Sequence, residues 1–225
     1  MCAVPWLHLV TDDGVLESAD FARVAGSILD AGDIGEADVA LHVRGPHTSG
    51  RRLYEIASSL VGPARAAGAL LVVNDRVDVA LAVGLSAVHL GGRSLPVAEA
   101  RRLLGGGGCV GVSTHTVDEA ARAAAEGAHW IFTGTIYATP SHPDREGCGP
   151  EGLKPVTAAA AGTPVVAIGG VTPERVAELA AAGAHGVAVV RGVWRAPDPA
   201  VATRAYLEAL AAAHGGDRAG SGETS

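Results

Sequence analysis

Short apolar runs and amphipathic stretches alternate eight times along this chain. The apolar runs fall at 6–11, 37–44, 69–73, 87–90, 109–112, 130–133, 164–168 and 186–190, and valine, leucine and alanine dominate them. They lack the strict polar alternation of a half-exposed strand, so they suit parallel strands buried on both faces. Helical spacing of apolar positions predicts helices at 18–31, 49–67, 77–83, 96–104, 116–126 and 150–161. A further helix starts at Pro173 and stops at Gly183, and the last covers 199–213. Strict alternation with short connections implies right-handed crossovers between parallel strands. An eightfold count favours closure into a single (β/α)8 TIM barrel over an open doubly wound sheet. No linker interrupts the pattern. Residues 1–214 are therefore expected to form the barrel, and 215–225 (GGDRAGSGETS) a disordered tail.

In such a barrel the residues just after each strand gather on one rim, where the chemistry sits. The stretch TPVVAIGGVTPERVAELAAAGAHGVAVVRGVW (163–194) supplies the clearest part of that rim. Gly169 and Gly170 follow the seventh strand and let the backbone turn and approach a ligand closely. Thr172, Pro173 and Glu174 then read as the start of a helix. Arg191 and Gly192 follow the eighth strand. Paired turns with free amides, a helix start and an arginine make a phosphate cradle after strands seven and eight.

The rest of the rim is more polar than turns require. His42 and Arg44 end strand two, Asn74 and Asp75 end strand three, and His89 ends strand four. Ser113 and His115 follow strand five, with Thr133 and Thr135 at strand six. Asp75 has three readings, as a Mg²⁺ ligand, a helix cap or a partner for a substrate amine. His89 is a packing residue or a functional one, and His115 a helix-start residue or a base. The loop 134–149, containing ATPSHPDREGCG, exceeds the usual two to six residues and reads as a lid. Its Thr139 and Ser141 join the candidate substrate contacts.

Composition narrows the class. A net charge of −7 without a basic block argues against nucleic acid as a partner. No run approaches the roughly 18 apolar residues of a membrane span, and no signal peptide opens the chain. The three cysteines, Cys2, Cys109 and Cys148, lack metal-type spacing and read as reduced thiols of a cytoplasmic protein. A homodimer is compatible with the sequence.

The segments LLVVNDRVDVALAVGLSAVHLGGRSLP, GVSTHT, TGTIYATPS, VAIGGVTPERV and GVAVVRGV together resemble the thiamine phosphate synthase and thiazole tautomerase (TenI-like) superfamily, from about Leu7 to Leu210. The resemblance implies a (β/α)8 barrel binding a small phosphorylated heterocycle, with phosphate at Gly169-Gly170 and Arg191-Gly192. Departures point to the tautomerase branch. The synthase pattern Gln-x-Arg-x-Lys after strand two is here His42-Val43-Arg44-Gly45-Pro46. Asp75 matches the first Mg²⁺ aspartate, but Ser94 stands at the second, and His142 stands at the lysine of the strand-six loop. The tautomerase histidine falls at Thr135, so His42, His115 and His142 become candidate replacement bases, His42 first. The expectation is thus a metal-independent isomerase without a cofactor. The alternatives are a synthase using Mg²⁺ at Asp75, and a barrel that binds thiazole or thiamine phosphate without turnover.

Overall fold

Eight strands, β1 (Leu7–Val10), β2 (Val39–Val43), β3 (Leu70–Asn74), β4 (Ala87–Leu90), β5 (Cys109–Thr114), β6 (Trp130–Thr133), β7 (Val165–Ile168) and β8 (Gly186–Val189), pair in parallel in chain order, and β8 closes on β1. This is the (β/α)8 barrel that the alternation predicts. The computed structural model describes residues 2–31, 38–139 and 146–218. Helices α2 (Phe21–Leu29), α3 (Gly50–Ala66), α4 (Val77–Val83), α5 (Val97–Leu104), α6 (Val117–Ala125), α7 (Gly149–Ala159), α8 (Val176–Ala181) and α10 (Pro199–Arg218) alternate with the strands.

Three short elements depart from expectation. A four-residue helix, α1 (Asp13–Leu16), follows β1, capped by the Asp12 side chain on Val15 N–H. A second, α9 (Arg191–Trp194), replaces the simple turn expected after β8. The helix expected from Pro173 begins as a 3₁₀ turn, Pro173–Arg175, and Thr172 makes no side-chain cap bond. The last helix also runs on to Arg218, and residues 219–225 of the tail lie outside the described residues.

Successive side chains of a strand point to opposite faces. Leu7, Leu9, Leu41, Val43, Val73 and Val88 face the helices and join the large outer core. The inward set, Val10, Ala40, Val72, Ala87, Trp130, Phe132, Val166 and Ala188, forms a smaller inner core. Small alanines on several strands leave room there for rings. Gly111 on β5 is required for this, because a Cβ would collide with the Trp130 indole.

The same parity carries His8, His42, Asn74 and His89 into the barrel, all at 6% exposure or less. It also points Cys109 toward the closed end, where the N-terminal segment crosses. There Cys2 and Cys109 form a disulfide, with Cα atoms 5.9 Å apart, against the expectation of three reduced thiols. A separation of 107 residues hides that pairing from spacing arguments. Cys148 is free and exposed. Among the described residues no helix is long and apolar enough to cross a membrane.

Candidate active site

The C-terminal ends of the strands open on a cavity of about 980 Å³. Since β3 and β7 lie four strands apart in the closed ring, their following loops face each other across its mouth. Each side is chemically distinct.

On the β7–β8 side the backbone does most of the work. Gly169 and Gly170 hold positive φ, 104° and 62°. The segment after β6 crosses closely above them, with Ile136 N–H donating to Ile168 O (3.0 Å) and Tyr137 N–H to Gly169 O (2.9 Å). A Cβ on Gly169 would lie 2.8 Å from Thr135 Cγ2, and one on Gly170 2.8 Å from Ala138 O. The glycines are thus required by this crossing whether or not a phosphate binds. Three side chains unnoticed in the sequence fix the turn. Arg175 donates to Gly170 O (2.6 Å) and stacks over the Tyr137 ring, 4.1 Å from its centroid. Tyr137 in turn donates to Glu178. From α10, buried Tyr206 donates to Val171 O (2.8 Å) and abuts Gly192, where a Cβ would meet its hydroxyl. Burial and the Glu174 charge push the Tyr206 phenol up to about 12, so it remains a donor. Gly169, Gly170, Arg191 and Gly192 all line the cavity. Arg191 and Gly192 open α9, where first-turn amides have no intrahelical acceptor.

On the β2–β4 side the side chains carry the charge. Arg44 lines the cavity, its backbone pinned by buried Thr11, whose hydroxyl accepts from Arg44 N–H (2.8 Å) and donates to Arg44 O (2.8 Å). Asp75 adopts φ 64°, a left-handed conformation that aspartate tolerates better than most residues. That turn sends its carboxylate to the next loop, where Oδ1 accepts from Gly91 N–H (2.8 Å) and from the Ser94 hydroxyl. Asp75 does not cap α4, whose N-cap is Arg76 without a side-chain bond. Arg195 and Asp12, 3.6 Å apart, complete the rim beside α1.

The candidate bases lie in different settings. His42 sits inside the barrel at 0% exposure, outside the cavity lining. Its Nε2 is 2.9 Å from His8 Nδ1 and its Nδ1 2.9 Å from Asn74 Oδ1. Burial lowers its pKa to about 4, against a smaller opposing effect of the Asn74 bond. The parity of β2, hidden in an all-apolar strand, is why the sequence put it on the rim. Contrary to the expectation, it does not reach the cavity. His115 is exposed, its Nδ1 3.0 Å from Gly134 O, and it lines both the main cavity and a smaller one of about 410 Å³. His142 and Ser141 lie outside the described residues.

Asn74, His89 and Ser113 line the cavity, and His89 Nε2 is 2.8 Å from Ser113 Oγ. Thr135 and Thr139 line it as well. Thr133 does not: it faces the helices, 3.4 Å from Thr114 Oγ1, and lines the smaller cavity instead.

Comparison with known proteins decides between the branches. The family model for thiamine monophosphate synthase (TMP-TENI) matches residues 7–193. A thiamine-phosphate synthase of Methanoculleus marisnigri is 42% identical over 211 residues, covering 92% of this chain and 96% of that protein. The thiamine biosynthesis bifunctional protein ThiM/ThiE of Symbiobacterium thermophilum is 50% identical over 162 residues, 72% of this chain but 34% of that protein, so this chain matches about a third of it. Thiamine phosphate pyrophosphorylase from Pyrococcus furiosus superposes with a TM-score of 0.77 at 29% identity, covering 92% and 96% of the two chains. Curated relatives named synthases, transferases rather than isomerases, overturn the expectation of a metal-independent tautomerase.

The expectation of no cofactor falls with it, because thiamine-phosphate synthases use Mg²⁺. Among the described residues no cluster of three or more His, Cys, Asp or Glu could hold a metal unaided. Asp75 nonetheless fits one, a carboxylate in the cavity lining with Oδ1 fixed by Gly91 and Ser94. Mg²⁺ commonly takes one or two carboxylates and completes its shell with substrate phosphates and water. The loss of a carboxylate at Ser94 therefore weakens capture by the empty protein without removing the site. Barrel, cavity and relatives agree: this chain belongs to the thiamine monophosphate synthase family.

Proposed function

We propose that this protein is a thiamine-phosphate synthase, joining a hydroxymethylpyrimidine diphosphate to a thiazole phosphate with loss of diphosphate. The observation that supports it best is a cavity of about 980 Å³ whose two ends differ in chemistry, glycine turns with Arg191 at one and Arg44 with Asp75 at the other. The β7–β8 end, with its glycine turns and Arg191, suits the thiazole monophosphate. The opposite end, with Arg44 and Asp75, suits the diphosphate. Mg²⁺ held at Asp75 would neutralise charge on the leaving diphosphate.

The chemistry suits the residues present. The thiazole nitrogen lone pair forms the new C–N bond while the C–O bond to diphosphate breaks and its electron pair leaves with the diphosphate. No proton need be removed from carbon, so the site needs no general base. The work left to the chain is positioning and charge stabilisation. Arg44 offers a fixed positive charge at the diphosphate end, and Asp75 would hold the cation there. Asn74 and Ser113 lie on the floor between the two ends as contacts for the pyrimidine ring. A cytoplasmic location belongs to the same reading.

The test is direct. Purified protein given both substrates and Mg²⁺ should form thiamine phosphate and inorganic diphosphate in equal amounts, and EDTA should abolish both. Binding of both substrates with no product in Mg²⁺ would refute the proposal in favour of a non-catalytic binding barrel.

A further inference from the structure

Three histidines and a tryptophan fill the barrel beneath the cavity, and the reaction uses none of their protons. We infer that two buried hydrogen-bond chains, one ending at Pro5 and one starting at Trp130, fix the polarity of Asn74 and Ser113, so that the cavity floor presents an accepting oxygen at Asn74 and a donating hydroxyl at Ser113.

The first chain starts at the closed end of the barrel. Pro5 O can only accept, so His8 Nε2, 3.0 Å away, carries a proton and donates to it. A neutral His8 then has a bare Nδ1, which must accept from His42 Nε2–H at 2.9 Å. A neutral His42 in turn has a bare Nδ1, which needs a donor. The group 2.9 Å away is the Asn74 amide, whose oxygen and nitrogen exchange by a half-turn of the side chain. The chain therefore requires the amide nitrogen toward His42 and the amide oxygen toward the cavity that Asn74 lines. The opposite arrangement would need an imidazolium at His42. That ring is wholly buried among His8, His89, Trp130 and Phe132, and among the described residues no carboxylate pairs with it. Burial lowers the basicity of both His8 and His42.

The second chain starts from a donor. Trp130 Nε1–H can only donate, and it lies 3.0 Å from His89 Nδ1. That nitrogen is bare, so the proton of neutral His89 sits on Nε2 and is donated to Ser113 Oγ at 2.8 Å. With an oxygen lone pair so engaged, the Ser113 hydroxyl proton is free to point into the cavity. Asn74 pairs in register with His89, and Ser113 bonds it, so acceptor and donor flank the same ring. Together they match an edge that carries an exocyclic amino group beside an unprotonated ring nitrogen, as in a 4-aminopyrimidine. This choice of ligand, though not the relay itself, rests on the synthase reading. His8, His42 and His89 act as positioning residues that set what the floor offers.

Two measurements decide it. In ¹⁵N-histidine-labelled protein at neutral pH, long-range ¹⁵N–¹H spectra should show His8, His42 and His89 all neutral with the proton on Nε2. A proton on His42 Nδ1, alone or as imidazolium, overturns the relay even in a protein that passes the synthase assay. The Nε2 pattern upholds it even in one that fails. For selectivity, the wild type should bind a 4-aminopyrimidine about 10–100-fold more tightly than the matching pyrimidin-4-one, whose donor and acceptor are exchanged. Replacing His8 by phenylalanine removes the acceptor that orients His42, and should shrink that ratio several-fold while inorganic phosphate binds as before. An unchanged ratio in the folded variant, or no preference in the wild type, overturns the selectivity.

Discussion

The turns after β7 and β8 and the interior beneath β1–β4 solve the same problem in opposite ways. At the first, backbone amides and a carbonyl-bound tyrosine shape the proposed phosphate site, and the essential residues are glycines. At the second, side chains from β1 to β6 interlock in a buried polar layer, and the essential residues are histidines whose neutrality matters. A backbone site is robust, because its hydrogen-bonding groups are the same whatever the side chains. A buried side-chain layer depends on every member being satisfied, since a lost partner leaves a buried polar group costing about 1–3 kcal/mol. Away from its glycines the first tolerates drift in sequence, and the second tolerates little change in protonation.

Acid should separate the two regions most strongly. Burial depresses the basicity of His8 and His89, and takes His42 to about 4. The unfolded values lie near 6.5. Between the two the unfolded chain binds protons that the folded chain does not, so stability is full above about pH 6.5 and falls as pH falls toward about 4. Each histidine that titrates only on unfolding contributes a slope of about 1.4 kcal/mol per pH unit. Urea midpoints at pH 7, 6 and 5 should therefore fall steeply, with an uptake of more than one proton on unfolding. A flat profile over that range would mean the interior histidines are not held neutral.

Substitutions on the two sides of the mouth should split the substrates between them. Asparagine at position 75 keeps the shape, tolerates φ 64° and can still accept from Gly91 and Ser94, but loses the charge. Asp75→Asn should lower turnover about 10²–10³-fold, with thiazole phosphate affinity unchanged. Arg191→Ala should instead weaken the thiazole phosphate about 10-fold or more, the worth of a charge-assisted hydrogen bond, and leave the diphosphate substrate alone. A turnover assay reads the first effect, and isothermal titration with each substrate separately, in Mg²⁺, reads the affinities. If each variant weakens both substrates equally, the two-ended cavity is the wrong description.

The contrast also explains what the sequence made legible. Strand and helix positions came through well, with α4, β4 and β6 at the expected boundaries. The glycine turns were legible because a paired glycine after an apolar strand is a local signal. His42 was not, because a strand apolar on both faces does not reveal which way a polar residue points. His8 drew no attention for the same reason. Tyr206 acts from the last helix, 35 residues beyond the carbonyl it binds, and no local pattern marks it. The reaction was misread through the departures at His42, Ser94, Thr135 and His142. They counted as losses of function, yet a metal completed by substrate oxygens needs no second carboxylate, and an alkylation at nitrogen needs no base.

The smallest expected effect tests whether the backbone site is really independent of side chains. Tyr206 is a buried side chain that touches both turns, donating to Val171 O and packing on Gly192. Tyr206→Phe keeps the ring and its burial and removes one hydrogen bond, a loss of about 1 kcal/mol. If the turn after Gly170 keeps its shape only while Val171 O is held, the loss should appear as about a fivefold weaker thiazole phosphate, converting that energy at 1.4 kcal/mol per decade. The diphosphate substrate should bind as in the wild type, because β3 and its loop lie across the mouth. A loss of stability with unchanged phosphate affinity would make Tyr206 a packing residue and the turns self-sufficient. Equal weakening of both substrates would instead join the two ends of the cavity through α10, and the division between a backbone site and a side-chain layer would no longer hold.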